Sequence, residues 1–181
     1  MNTTAPQTPT TITDMIRADH AQVKSTLRNY RPDASPDTKQ KLVNALSLAL
    51  EAQTQLKTEF FYPAMRALAT DEPALLRSEA EHHQMQSLIG QLRDMRPSAS
   101  LYDDTVKALT ETVNRHVADE EAVLLPQAER FLLPAQLNDL GFKMSTQRML
   151  LKKPSVGKML LTAGGLLAGG YLIKRALERR V

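Results

Sequence analysis

A chain of 181 residues with 42% apolar and 24% charged side chains is long enough for one domain with a real core and a short appendage. It has no cysteine, which excludes disulfide scaffolds, zinc–cysteine sites, thiolate-held iron–sulfur clusters and cysteine nucleophiles; with 4% aromatics and no tryptophan, a stacking surface for single-stranded nucleic acid is not expected either. The net charge of +3 is unevenly placed: residues 151–181 hold seven Lys/Arg against the single acid Glu178, so residues 1–150 carry −3, the basic character belongs to the tail, and no nucleic-acid partner is expected.

Residues 1–11 are Thr/Pro-rich and expected to be disordered, and they lack the basic start and apolar run of a secretory signal. Residues 12–148 read as helix throughout. They are rich in Leu, Ala, Gln, Glu, Lys and Met, hold only Gly90 before residue 140, and show no strand-like alternation. Turn signals divide them. The stretch Arg31-Pro-Asp-Ala-Ser-Pro36 ends a helix over about 12–30, and Pro36 and Asp37 suit the first turn of a second over about 36–69. Asp71-Glu-Pro73 opens a third, to about 96, and Arg96-Pro-Ser98 separates it from a fourth over about 99–132. A shorter helix follows from Pro134 to about 150. Long helices with short connections predict an all-α, up-down-up-down four-helix bundle.

Residues 149–181 form a basic, glycine-rich tail. Met159 to Ile173 is a run without charge, bracketed by Lys158 and Lys174. As a helix it spans roughly 22 Å, somewhat short of a hydrocarbon core of about 30 Å, though the flanking lysines can snorkel. Gly165 and Gly169 make a GxxxG helix-contact motif, and the final Lys174-Arg175 and Arg179-Arg180 pairs suit an anionic lipid face. The reading is of a bundle on the cytoplasmic side attached to a membrane by this extra C-terminal helical segment. The alternatives are a re-entrant segment or one lying on the membrane surface, and packing on the bundle or on a second copy in a homo-oligomer.

The helical body repeats itself. A shift of 62 residues lays Asp19-His-Ala-Gln-Val-Lys-Ser on Glu81-His-His-Gln-Met-Gln-Ser, and a shift of 63 lays Gln53, Lys57 and Pro63 on His116, Glu120 and Pro126. Each αα-hairpin thus carries one histidine on its first helix, His20 or His82, and a pair four apart on its second, Gln53/Lys57 or His116/Glu120. Imidazole and carboxylate on inward faces of neighbouring helices are how a bundle builds an iron or manganese site. The same groups also serve as a hydrogen-bonded polar core. Pro63 and Pro126 are expected to kink the helices below this level. His83 aligns with Ala21 and is expected to face solvent. Glu79 and His82 form an ExxH pair, but the second such pair of a ferritin-like site is absent.

These residues resemble the hemerythrin-like family of HHE cation-binding domains. The matching segments are Ala18-Asp-His20, Thr58-Glu-Phe-Phe-Tyr-Pro-Ala-Met65, Glu81-His82, and His116-Val-Ala-Asp-Glu-Glu121 followed by Leu125-Pro126, over roughly residues 12–148. The resemblance implies a non-haem diiron bundle that binds or senses oxygen, nitric oxide or iron. Carried over by position, it implies the metal ligands His20, His82, His116 and Glu120. Two positions depart: Gln53 stands where the family has a histidine, and Lys57 where it has a bridging glutamate. An ammonium adds a positive charge where a bridging carboxylate should be, and Glu59, two positions on, points about 200° away. The expectation is therefore a binding or sensing protein, not an enzyme, with a degenerate iron site holding one metal ion at most. The alternative is a metal-free, membrane-tethered structural bundle in which Lys57 and Glu120 pair in the metal's place.

Overall fold

The computed structural model of the chain describes residues 10–68 and 72–152. Among these residues there are helices and turns but no strands. Helix α1 (Ile12–Arg28) starts on a capping box: the Thr11 hydroxyl accepts from the Asp14 N–H at 3.1 Å, and the Asp14 carboxylate accepts from the Thr11 N–H at 3.3 Å. Helix α2 (Pro36–Leu56) is capped by Ser35 with Pro36 in its first turn. It passes through a π-turn (Lys57–Phe61) into α3 (Tyr62–Leu68), so residues 36–68 form one rod. Helix α4 spans Glu72–Asp94. A second composite rod joins α5 (Tyr102–Asp119), a π-turn (Glu120–Leu124) and α6 (Leu125–Phe131), and α7 (Pro134–Lys152) follows.

A π-turn lies just before each of the two prolines at which a kink is expected. Pro63 and Pro126 have no N–H, and their rings crowd the carbonyls four residues back. The helix answers by widening one turn: the Tyr62 N–H reaches the Lys57 carbonyl, and the Leu125 N–H the Glu120 carbonyl, each five residues back. Both widened turns begin at the second member of the four-apart pairs.

Four rods pack in a ring: α1 on α2, α2 on α4, α4 on α5, and α5 on α1. Two apolar clusters fill the ring. One gathers Ile12, Ile16, Leu56, Phe61, Met65, Leu124 and Leu125, and the other Val23, Leu46, Leu50, Met85, Ile89, Leu109 and Val113. Every rod contributes to both clusters, and on every rod buried polar residues lie where one contribution gives way to the other: His20, then Gln53 and Lys57, then Glu81 and His82, then His116 and Glu120. The hydrophobic layers thus enclose a polar layer. Bidentate surface pairs, Arg17 with Glu129 and Arg93 with Glu51, tie neighbouring rods.

The chain divides into two compact units, Met1–Gln147 and Arg148–Val181. Of the second, only residues 148–152 are described. The segment from Met159 to Ile173, with Gly165 and Gly169, lies outside the described residues. Among those described, no helix is long and apolar enough to cross a membrane.

In α7, Leu137 and Met144 join the first cluster. Gly141, one turn from each, has backbone against it: a Cβ there would lie 2.2 Å from the Thr10 carbonyl oxygen and 3.0 Å from the Ile12 nitrogen. Gly90, in mid-helix, has open space around the same position. Gly141→Ala should therefore cost about 1–3 kcal/mol through a backbone shift, whereas Gly90→Ala should gain about 0.5–1 kcal/mol. Denaturant unfolding of the two variants checks both signs.

Candidate metal centre

Glu120 is the focus of the polar layer and is fully buried. One carboxylate oxygen, Oε1, accepts from the Tyr62 hydroxyl at 2.6 Å. The other, Oε2, accepts from the Lys57 ammonium at 2.7 Å and faces His20 Nε2 at 2.9 Å and His116 Nε2 at 3.3 Å. Burial by itself would push this carboxyl up. The Lys57 ammonium, the foremost of the groups that oppose burial, holds it well below the usual carboxylate range.

Lys57, 3% exposed, also donates to His116 Nε2 at 2.8 Å. That contact sets the His116 tautomer. An ammonium only donates, so Nε2 presents its lone pair and the ring proton sits on Nδ1, which faces Glu81 Oε2 at 3.2 Å. Glu81 is in turn held by Arg115 at 2.8 Å. His82 Nε2 lies 3.2 Å from His116 Nε2 and 3.4 Å from the Tyr62 hydroxyl. Burial, then the nearby Lys57 and His116, push His82 down to about 2, so its ring is neutral. His20 faces a carboxylate with each nitrogen, Glu120 at 2.9 Å and Glu121 at 3.0 Å. Neutral, it donates to one of them; protonated, to both.

The folded chain brings His20, Lys57, His82, His116 and Glu120 together. Gln53 sits at the edge of the cluster, where its Nε2 donates to the Asp19 carbonyl at 3.1 Å and ties α2 to α1. Glu59 and His83 are exposed, and Glu79 pairs with Arg66. Tyr62, Glu81, Arg115 and Glu121 are members of the network that the spacing argument did not assign. The Tyr62-Pro63 pair and the alignment of Glu81 with Asp19 were the signals available for two of them; Arg115 and Glu121 carried none.

Among the described residues, three donors converge closely enough to hold one cation. His82, His116 and Glu120 offer ligand atoms all within 4.8 Å of one another. Two of those separations, 3.2 and 3.3 Å, match the edge of about 3.3 Å that a tetrahedron with metal–ligand distances near 2.0–2.1 Å requires. Glu81 behind His116 supplies the outer carboxylate that orients a ligating imidazole. The Lys57 ammonium lies on two of these three ligand residues, and Gln53 spends its donor on the backbone of α1.

Two consequences are measurable on chelator-treated protein. His82 has a folded value of about 2 against an ordinary value near 6.5. As pH falls below 6.5 the unfolded chain therefore takes up a proton that the folded chain refuses. Stability is fully present above pH 6.5 and falls by about 1.4 kcal/mol per pH unit below it, roughly 2 kcal/mol by pH 5. His82→Gln should flatten unfolding free energy against pH over this window. The Glu120 contribution is lost only at lower pH, as its own depressed value is approached. Separately, Lys57→Met strips the counter-charge from a buried carboxylate and should cost about 3–5 kcal/mol. Lys57→Met with Glu120→Gln removes both charges and should recover half or more of that loss, measured as a double-mutant cycle.

The family profile described as Hemerythrin HHE cation binding domain matches residues 11–128. A curated relative, a DNA nickase from Nostoc sp. (strain PCC 7120), is 29% identical over 115 residues, covering 62% of this chain. The chain spans about a third of that relative's length, 32%. Among solved structures, a hemerythrin HHE cation binding domain-containing protein from Mycobacterium kansasii superposes with a TM-score of 0.68 at 19% identity, covering 86% of this chain and 94% of that one, which shows a shared fold. With the profile match running from the cap of α1 into α6, across all four rods and the polar layer, the chain belongs to the hemerythrin HHE cation-binding domain family.

Proposed function

We propose that this chain is a hemerythrin-type binding or sensing domain with a degenerate site, holding at most one metal ion, iron or a similar divalent cation, on His82, His116 and Glu120. The observation that carries the reading is the Lys57 ammonium, seated on two of those three ligand atoms at 2.7 and 2.8 Å. In this reading His20 and Tyr62 orient the Glu120 carboxylate rather than extend the ligand set. The reading is of binding rather than catalysis. The polar side chains of the site are buried, and beside them lies a cavity of about 10 Å³, room for about one water. A space of that size suits a water or a very small ligand. It does not admit a phosphodiester, so the activity named for the Nostoc relative is not carried over.

The Lys57–Glu120 contact favours a second reading, a bundle that binds no metal and serves as a structural or interaction module, tethered by its C-terminal tail. Elemental analysis separates the two. The full chain is purified without chelator or metal-binding tag, then loaded anaerobically with ferrous iron. The proposal expects one metal per chain, lost in His82→Ala and His116→Ala. None at all selects the second reading, which expects the full-length chain in the membrane fraction. Two irons per chain overturn both. Gln53→His with Lys57→Glu should raise the content to two.

A further inference from the structure

We propose that Lys57 is a tethered cation that competes with a divalent metal ion for the site, so that the metal enters only as the ammonium swings away. The proposal rests on the one-metal reading of His82, His116 and Glu120 and adds its regulation.

The competition follows from lone pairs. An imidazole nitrogen carries a single lone pair in the plane of its ring. At His116 Nε2 that lone pair already accepts from the Lys57 ammonium at 2.8 Å. The same ammonium lies 2.7 Å from Glu120 Oε2, the oxygen nearest to His116. A metal ion bound to His116 Nε2 therefore excludes Lys57 from its present position, and the converse holds equally. Two like charges at such separation in a buried layer would also repel strongly.

The displaced ammonium has a place to go. Lys57 lines the small cavity of the polar layer together with Gln53 and Thr54, which lie one turn back on the same rod. Gln53 is fixed there by its bond to the Asp19 carbonyl, and its amide carries an acceptor oxygen besides the donor so used. The two positions at which the chain departs from the family pattern thus work as a pair: Lys57 supplies the internal cation and Gln53 an alternative partner for it. With the ammonium in, Glu120 is neutralised without metal and still accepts from Tyr62 and His20. With the ammonium out, the metal takes over that charge. Glu120 thus has a counter-charge in both states.

The test titrates Zn²⁺ into the chelator-treated full-length chain and its variants, with affinity read by competition against a chromophoric chelator. If the ammonium occupies the site nine-tenths of the time or more, its removal raises apparent affinity at least about tenfold. Lys57→Met should therefore bind one Zn²⁺ at least about tenfold tighter than wild type, and His116→Ala added to it should abolish binding. Gln53→Leu should weaken Zn²⁺ binding in the wild-type background and leave it unchanged beside Lys57→Met, a pattern that a merely structural role for Gln53 does not produce. Should Lys57→Met not fold by circular dichroism, the neutral Lys57→Gln takes its place. Equal affinity of wild type and the Lys57 variant, with His116 still required, overturns the competition and leaves the one-metal reading standing. Binding in neither chain, or binding indifferent to His82 and His116, overturns the one-metal reading itself.

Discussion

The rest of the site depends on one buried contact, the Lys57 ammonium on the Glu120 carboxylate. A fully buried carboxylate is costly unless its charge is matched. Here it is matched from within the chain, and the Tyr62 hydroxyl and His20 Nε2 lie within hydrogen-bond distance of the same carboxylate. The same ammonium fixes the proton of His116 on the nitrogen that faces Glu81 and helps keep His82 neutral. Protonation states on two neighbouring rods thus depend on one side chain of a third.

The architecture explains why such a costly layer is tolerated. Each rod carries apolar residues above and below the polar stretch, so two hydrophobic clusters clamp the layer from both sides. The π-turns begin at Lys57 and at Glu120, and the proline behind each removes the N–H that a regular helix would have used there. The pseudo-repeat therefore extends beyond residue types to a shared backbone irregularity. Chemically the repeat has diverged: one half keeps an imidazole and a carboxylate, and the other offers an amide and an ammonium. A site that elsewhere in the family holds cations has acquired a cation of its own.

Much of this was legible in the sequence because helical information is local. The turn signals, the Pro36-Asp37 start and the 62- and 63-residue shifts place the rods and put His20, Lys57, His82, His116 and Glu120 at one level. Helix ends moved by a few residues where turns such as Pro97–Leu101 took up the chain. The π-turns were not legible as such, since a proline in a helix signals a disturbance without saying which kind. Arg115 and Glu121 were missed because each reaches the site from a helix face that periodicity assigns to solvent, Arg115 through Glu81 and Glu121 through His20.

The sequence by itself determined the helical class, the duplicated hairpin, the family resemblance and the loss of two donor positions, because residue identity and spacing along one helix decide those. It also showed that an ammonium stands where a carboxylate is expected. Only the tertiary structure decided what the ammonium does. Whether Lys57 points to Glu120, to His116 or out to water depends on distances between rods more than fifty residues apart in the chain, and no local pattern encodes them. The approach of His82, His116 and Glu120 to one another is a property of that convergence.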